Sequence, residues 1–224
     1  MILFLRLLDL FFPPKCVLCK HLLTREETDI CHRCRKVAPE IEKPKLKFSF
    51  VAGWTALWYY KDDPRRSLIR YKFRDRRSYY LSYGRVLAMH LRQKGFEKYE
   101  VLSYIPVAPL RKFIRSYDQV ELIAQAVSKE LDKPLVPTLR KIRNTPPQSG
   151  FQDPSQRRAN VLGAYKIQDP ALVRGKQILL LDDVITTGAT ASECARVLLT
   201  AGAKEVYCAA MAAANQDKQH DKNK

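Results

Sequence analysis

Short apolar runs alternate with segments of helical periodicity along most of the chain. Apolar residues spaced three or four positions apart predict four helices, at Pro64 to Phe73, Tyr80 to Lys94, Ser116 to Leu131 and Thr190 to Ala201. Compact apolar runs predict strands, one or two within Phe48 to Tyr60, then Glu100 to Ile105, Leu135 to Val136, Ala164 to Ile167, Gln177 to Leu181 and Glu205 to Ala212. This alternation is typical of a parallel sheet with helices on both faces, so the sequence predicts an α/β fold.

Three segments fall outside this alternation. The stretch from Arg140 to Asn160 is polar and rich in proline, and it predicts a long loop that could act as a lid. The first twelve residues are mostly apolar, but a membrane-spanning helix needs about 20 apolar residues, and Arg6 and Asp9 interrupt this run. We expect a short amphipathic helix there and no membrane span. The tail from Asn215 to Lys224 is polar and predicts disorder.

Four of the six cysteines form two Cys-x-x-Cys pairs near the N-terminus, Cys16 with Cys19 and Cys31 with Cys34. This spacing predicts one structural Zn²⁺ bound by four thiolates. Disulfides are the alternative, but the chain shows no export signal, which favours a cytoplasmic protein. His21 and His32 are less favoured substitute ligands. Cys194 and Cys208 lie in apolar segments, so we expect both to be buried packing residues.

These patterns divide the chain into three predicted parts. Residues 1–40 form an N-terminal helix and a zinc-ribbon-like head, residues 48–214 form the α/β domain, and residues 215–224 form a disordered tail. Because the head is too small to bury a core of its own, we expect metal to supply its stability.

Positive charge is concentrated in one region. The formal net charge is +17, and residues 61 to 115 hold 15 basic against 5 acidic residues. Within that region, the residues predicted to contact nucleic acid are Arg70, Lys72, Arg74, Arg76 and Arg77. Aromatic residues interleave with them, and such a mixture favours single-stranded nucleic acid, in which bases stack while phosphates pair with cations. The alternative is that the charges solvate the surface and that many of the aromatic residues are core.

The predicted strand Gln177 to Leu181 ends in two acids, Asp182 and Asp183. The residues that follow are small or hydroxylated and would close on a phosphate: Thr186, Thr187, Gly188, Ala189 and Thr190. Thr190 and Glu193 match a Thr-x-x-Glu capping box, which predicts a helix start there. An ordinary strand-to-helix turn is the alternative. A sugar between the acids and the loop would explain why carboxylates stand beside a phosphate site.

This segment resembles the signature of type I phosphoribosyltransferases. The resemblance implies that Asp182 and Asp183 face ribose hydroxyls as catalytic residues and that the loop holds the 5′-phosphate of phosphoribosyl pyrophosphate, which binds with Mg²⁺. The turn after Pro106 resembles the pyrophosphate loop of that family, with Arg111 and Arg115 as the anion-binding residues.

The order of features along nearly the whole chain resembles the ComF family. They are the cysteine head, Arg70-Tyr71-Lys72-Phe73, Ile105-Pro106, Gln148, Arg158-x-Asn160 and the acid-pair loop. One departure is Arg115-Ser116-Tyr117-Asp118-Gln119, where that family usually has Arg-Gly-Phe-Asn-Gln. The resemblance implies a role in natural transformation, assisting the uptake of single-stranded DNA into the cytoplasm. The implied partner is a helicase-like competence protein, which could hold the chain at the inner face of the membrane.

Two functions follow from these patterns. The favoured hypothesis is single-stranded DNA binding through the phosphate site and the basic surface. The alternative is an active Mg²⁺-dependent phosphoribosyltransferase that uses phosphoribosyl pyrophosphate and an unknown acceptor.

Overall fold

A computed structural model describes residues 13–38, 41, 48–74, 76–146 and 153–214. The predicted N-terminal helix, the predicted tail and Gln148 lie outside the described residues.

Six strands lie within these ranges: β1 (Gly53–Tyr59), β2 (Val101–Tyr104), β3 (Leu139–Lys141), β4 (Tyr165–Ile167), β5 (Gln177–Ile185) and β6 (Glu205–Ala213). Four of them form a sheet in the order β1-β6-β5-β2, and all of its pairings are parallel. Strands β3 and β4 form a separate antiparallel pair. The α/β prediction is therefore confirmed, although Leu135 forms only an isolated bridge to Leu102.

Seven α-helices lie in the described ranges: α1 (His32–Val37), α2 (Asp62–Phe73), α3 (Tyr79–Gln93), α4 (Pro109–Arg115), α5 (Gln119–Leu131), α6 (Pro154–Val161) and α7 (Ala189–Thr200). Short 3-10 turns span Phe96–Lys98 and Pro170–Leu172. Helix α4 and strand β3 were not predicted, and α6 lies where a loop was predicted. The prediction from Arg140 to Asn160 was wrong at both ends because short elements leave little periodicity.

The sheet separates two hydrophobic cores. On one face, Leu68, Leu87 and Ile123 of α2, α3 and α5 join a core that also contains residues of the head. On the other face, Leu198 of α7 packs in a core with Tyr165 of β4. Cys194 and Cys208 are buried in the second core, as the sequence indicated.

The caps of two helices differ from the sequence expectation. Helix α5 begins after Asp118, whose Oδ1 accepts hydrogen bonds from the N–H groups of Val120 and Glu121. Helix α7 begins after Gly188, so the predicted capping box of Thr190 and Glu193 is wrong. Glu193 instead accepts from Gly163 N–H at 2.8 Å and pairs with Arg196. The carboxylate therefore joins α7 to the end of α6, a tertiary contact that local sequence does not reveal.

Candidate functional site

A cavity of about 920 Å³ opens at the carboxyl ends of β2 and β5. Its lining includes Asp182, Asp183 and part of the loop that follows β5, together with Arg111 and Arg115. The predicted acids, phosphate loop and anion-binding arginines thus meet at one site, as expected where strand ends adjoin in a parallel sheet.

The acid pair lies at the floor of the cavity because β5 is longer than β2. The pairing between these strands ends where Ile105 N–H donates to Leu181 O at 2.9 Å. Strand β5 continues through both acids to Ile185, still paired with β6. One edge of β5 is therefore left to the cavity at Asp182 and Asp183.

Asp183 is held by two side chains from different helices. Lys72 Nζ lies 2.8 Å from its Oδ1, and Gln119 Nε2 donates to its Oδ2 at 2.9 Å. The Lys72 side chain is 15% exposed and that of Asp183 is 9% exposed, so this ion pair is largely removed from water. Lys72 therefore offsets part of the negative charge of the two adjacent carboxylates.

Asp182 has a different environment. Its Oδ1 accepts a hydrogen bond from Asp183 N–H at 2.7 Å. Burial and the neighbouring charge of Asp183 raise the pKa of Asp182 well above its usual value, and the charges of Lys72 and Lys141 oppose that rise. A raised pKa favours the protonated form of the Asp182 carboxyl, in which it can donate as well as accept a hydrogen bond.

The loop after β5 has backbone N–H groups that are available to bind an anion. Within the described ranges, the backbone N–H groups of Thr186, Thr187 and Gly188 donate to no protein acceptor. Gly188 has φ 75°, and a Cβ at this position would overlap the ring of Phe48, so glycine is required here. Unpaired N–H groups at the start of α7 can bind a phosphate.

The two arginines assigned to a pyrophosphate are already oriented by the protein. Arg111 Nη2 donates to Thr145 O at 2.8 Å. The guanidinium of Arg115 stacks over Phe73, 4.8 Å from the ring centroid. Burial lowers the pKa of Arg115, but an arginine stays charged at neutral pH. Both cations line the cavity, and their role toward an anion stays a prediction.

A third cation at the cavity is Lys141 in β3. Its Nζ lies 5.0 Å from the ring centroid of Tyr165, and burial lowers its pKa to about 8. The sequence placed Lys141 at the start of a loop that could act as a lid and bring positive charge to the site, whereas the structure places it at the end of strand β3. Lys72 was assigned to nucleic acid, although its position four residues after buried Leu68 on α2 puts it on the inward side of that helix.

The five basic residues predicted to contact nucleic acid fall into two groups. Arg70 and Lys72 have contacts inside the molecule, since Arg70 donates to backbone carbonyls of the head and Lys72 pairs with Asp183. Arg74, Arg76 and Arg77 are exposed. Arg70 and Lys72 lie within α2, which ends at Phe73, whereas the three exposed arginines follow its end. Arg77 still lies over the ring of Tyr117, 5.7 Å from the ring centroid.

The aromatic residues of the same region divide in the same way. Tyr71 and Tyr83 are fully buried, with their rings edge to face at 5.3 Å. Phe73 is 67% exposed, and Phe113 of α4, which sequence analysis did not single out, is 85% exposed. We call Phe73, Arg74, Arg76, Arg77 and Phe113 the rim surface. Phe73 and Arg77 also line the cavity.

The four N-terminal cysteines converge as the spacing predicted. Their four Sγ atoms all lie within 4.8 Å of one another, and Cys19 Sγ is 3.6 Å from Cys31 Sγ. A tetrahedral zinc site with bonds of about 2.3 Å places its sulfurs about 3.8 Å apart, so the cluster fits Zn²⁺. None of the six cysteines is in a disulfide. His21 and His32 are exposed and stand outside this cluster.

Among the described helices, none combines the length and the apolar character that crossing a membrane requires.

Two family models match the chain. A phosphoribosyl transferase domain matches residues 121–224, and a double zinc ribbon domain matches residues 7–45. The first match covers the acid pair and the loop after β5 but begins after Arg111 and Arg115, and the second covers the cysteine cluster.

The chain is also similar in sequence to two bacterial proteins linked by name to competence or DNA utilization. The chain is 30% identical over 112 residues to competence protein F of Haemophilus influenzae, a match that covers 48% of this chain and 47% of that protein. It is 27% identical over 221 residues to DNA utilization protein YhgH of Escherichia coli O157:H7, covering 88% of this chain and 96% of that protein.

Solved structures with a similar fold include an adenine phosphoribosyltransferase, with 18% identity, a TM-score of 0.42, and coverage of 67% of this chain and 78% of that one. Another is the allosteric regulatory enzyme of purine biosynthesis, with 19% identity, a TM-score of 0.42, and coverage of 62% of this chain and 29% of that one. The chain thus combines a zinc-ribbon head with a phosphoribosyltransferase-type domain, and relatives of the ComF family match most of its length.

Proposed function

We propose that the protein assists the uptake of DNA by binding a single strand across the rim surface, beside a cavity that takes a phosphorylated ribose. The main observation behind this proposal is that the rim surface and the cavity share two residues. Phe73 and Arg77 belong to the exposed rim surface and also line the cavity. The names of the relatives, competence protein F and DNA utilization protein YhgH, support a role with DNA.

The rim surface has both components that single-stranded DNA requires. Two exposed aromatic rings, Phe73 and Phe113, offer faces for base stacking, which is worth about 1–3 kcal/mol per base. Arg74, Arg76 and Arg77 supply cations for the phosphates, and few residues of opposite charge compete in this stretch. In the cytoplasm, a helicase-like competence protein would deliver the strand to this surface.

Fluorescence anisotropy with a labelled oligo-dT at several salt concentrations tests the proposal. We expect binding that weakens steeply with salt, and each phosphate contact that is removed should reduce the slope by about 0.7. The double variant Arg74→Gln/Arg76→Gln should lose affinity and reduce the slope. The matched variant Arg174→Gln/Lys204→Gln removes two exposed cations near the N-terminal ends of β5 and β6, away from the cavity. It should bind like the wild type.

Equal losses in the two double variants would contradict a specific rim surface and would indicate binding through net charge alone. Absence of binding at low salt would exclude the proposal. Phe113→Ala separates stacking from charge, since it should weaken binding without changing the salt slope.

A second candidate function is phosphoribosyl transfer, which is favoured by the position of the two acids in one cavity with the loop after β5 and with Arg111 and Arg115. In this reaction a nitrogen nucleophile bonds to C1 of the sugar, and pyrophosphate leaves with the electrons of the C1–O bond as its Mg²⁺ complex. Asp182 and Asp183 would face the ribose hydroxyls, the loop from Thr186 to Thr190 would hold the 5′-phosphate, and Arg111 and Arg115 would hold the pyrophosphate. Such a site acts by positioning and by stabilising charge.

Calorimetry with phosphoribosyl pyrophosphate and Mg²⁺ tests ligand binding, and pyrophosphate release in the presence of nucleobases tests turnover. Asp182→Asn keeps the shape of the side chain and should weaken binding. Binding without pyrophosphate release for any acceptor would support a ligand-binding role over catalysis.

A further inference from the structure

Helix α2 contacts the zinc head with one part of its surface and the cavity with another. Toward the head, Ser67 Oγ donates to Val17 O, and the guanidinium of Arg70 donates to Val17 O and Leu18 O. Toward the cavity, Lys72 Nζ reaches Asp183 Oδ1 at 2.8 Å. Arg70 and Lys72 are only two residues apart, so the docking of the helix on the head and the ion pair at the cavity share one rigid turn.

The carbonyls that Arg70 contacts belong to the metal-binding turn itself. Val17 and Leu18 stand between Cys16 and Cys19, and Lys20 N–H donates to Cys16 O at 2.9 Å to close the turn. Both residues are buried in the core shared with α2. Four thiolates on one Zn²⁺ would fix this turn and thereby the direction of its carbonyls.

The second side chain that holds Asp183 also depends on α2. Tyr71 Oη donates to Gln119 O at 2.8 Å, and Tyr117 Oη donates to Tyr71 O. Gln119 then donates to Asp183 Oδ2 at 2.9 Å. A shift of α2 would therefore disturb both partners of Asp183.

We propose that Arg70 is a positioning residue that, by docking α2 on the zinc head, holds Lys72 against Asp183 and so makes the anion affinity of the cavity depend on the head. The inference rests on the proposed binding of a ribose phosphate in the cavity. It assigns the head a role at the site as well as in the core.

The chain offers a matched control. Arg85 on α3 also binds the head, through an ion pair with Asp29, but in the described structure its side chain forms no hydrogen bond or ion pair with α2 or the acids. Arg70→Gln should weaken binding of phosphoribosyl pyrophosphate and Mg²⁺ about fivefold in calorimetry, or about 1 kcal/mol. Arg85→Gln should bind like the wild type, and both variants should retain bound zinc.

A double-variant cycle adds a readout that general damage to the head would not produce. Lys72→Met should itself weaken binding, and Arg70→Gln should reduce affinity clearly less in that background than in the wild type, because the part of its effect that acts through the ion pair is already lost. Additive losses, equal losses in Arg70→Gln and Arg85→Gln, or wild-type affinity in Arg70→Gln would each overturn the inference.

Carboxylate titration by NMR tests the inference without any ligand. Since the charge of Lys72 opposes the rise in the pKa of Asp182, displacing Lys72 should raise that pKa further in Arg70→Gln and leave it unchanged in Arg85→Gln. If the wild type fails to bind the sugar phosphate, the proposed ligand is wrong, and this titration still decides whether Arg70 positions Lys72. An unchanged pKa in Arg70→Gln would overturn the positioning role.

Discussion

Lys72 Nζ lies 2.8 Å from Asp183 Oδ1, and this ion pair joins helix α2 to the floor of the cavity. Its two members lie far apart in the sequence, and both side chains are mostly buried. A buried carboxylate is costly without a partner, so the pair links the stability of the domain to the electrostatics of its site.

We predict that Lys72→Met lowers the free energy of unfolding by roughly 3 kcal/mol at neutral pH, because it leaves Asp183 buried without its cation. The double variant Lys72→Met/Asp183→Asn should recover most of this loss. Urea denaturation gives both values. Arg66→Met, which removes a surface pair with Asp63, should change stability by less than about 0.5 kcal/mol. Equal losses for Lys72→Met and Arg66→Met would contradict the buried pair.

Zinc should be present in the purified protein, bound by the four head cysteines. Cys34→Ser should lose the metal and lower the melting temperature, because Cys34 is buried in the core that the head shares with α2 and α3. Cys194→Ala, outside the cluster, should retain zinc. Metal analysis and thermal melting measure these outcomes. After chelation and denaturation, six reactive thiols are expected, and a lower count would indicate disulfides instead.

Ser116 occupies the position where the family pattern has glycine, and it adopts a left-handed conformation with φ 60° at the end of α4. Serine tolerates this conformation at a cost that glycine avoids. Ser116→Gly should therefore raise the free energy of unfolding by up to about 1 kcal/mol. Denaturation that shows a loss of stability would contradict a strained backbone at this position.

His90 should make the protein less stable in mild acid. Its Nε2 is hydrogen-bonded to Thr55 Oγ1 at 2.8 Å, and burial, reinforced by Lys94, lowers its pKa from 6.5 to about 4. The unfolded chain therefore binds more protons between these values, so this contribution is fully present above pH 6.5 and is lost as pH falls toward 4. The loss amounts to about 3 kcal/mol at most.

His90→Gln keeps a hydrogen-bonding group beside Thr55 but does not titrate. Its free energy of unfolding should fall less steeply between pH 6.5 and 4 than that of the wild type. Comparing the two proteins cancels the acid sensitivity of the zinc site, which both share. Parallel pH curves would show that folding does not lower the pKa of His90.

The acid pair and the cysteines were predictable because their signals are local. A continuous apolar run identifies β5 as a buried strand, and Asp182 and Asp183 follow within the same few residues. The cysteine spacing likewise specifies a four-sulfur cluster without reference to the rest of the chain. In both cases, neighbouring residues carry the whole pattern.

The partners of these residues were not predictable in the same way. Glu193 matches a capping box but binds Gly163 and Arg196, and Asp118 caps α5 while its second oxygen accepts from Val107 N–H at 2.9 Å. Local spacing cannot decide between a helix cap and a distant donor, because either kind of N–H group can pair with the same carboxylate oxygen atoms.

The sequence by itself determined the parallel sheet, the metal-binding head and the loop after β5, since each depends on periodicity or on spacing along the chain. Only the tertiary structure decided what the basic residues of α2 do. Arg70 binds the head, Lys72 binds Asp183, and Arg74 faces solvent. The physical reason is that the role of a basic side chain depends on the carboxylates and carbonyls that pack around it. Those groups come together only when distant parts of the chain fold against one helix.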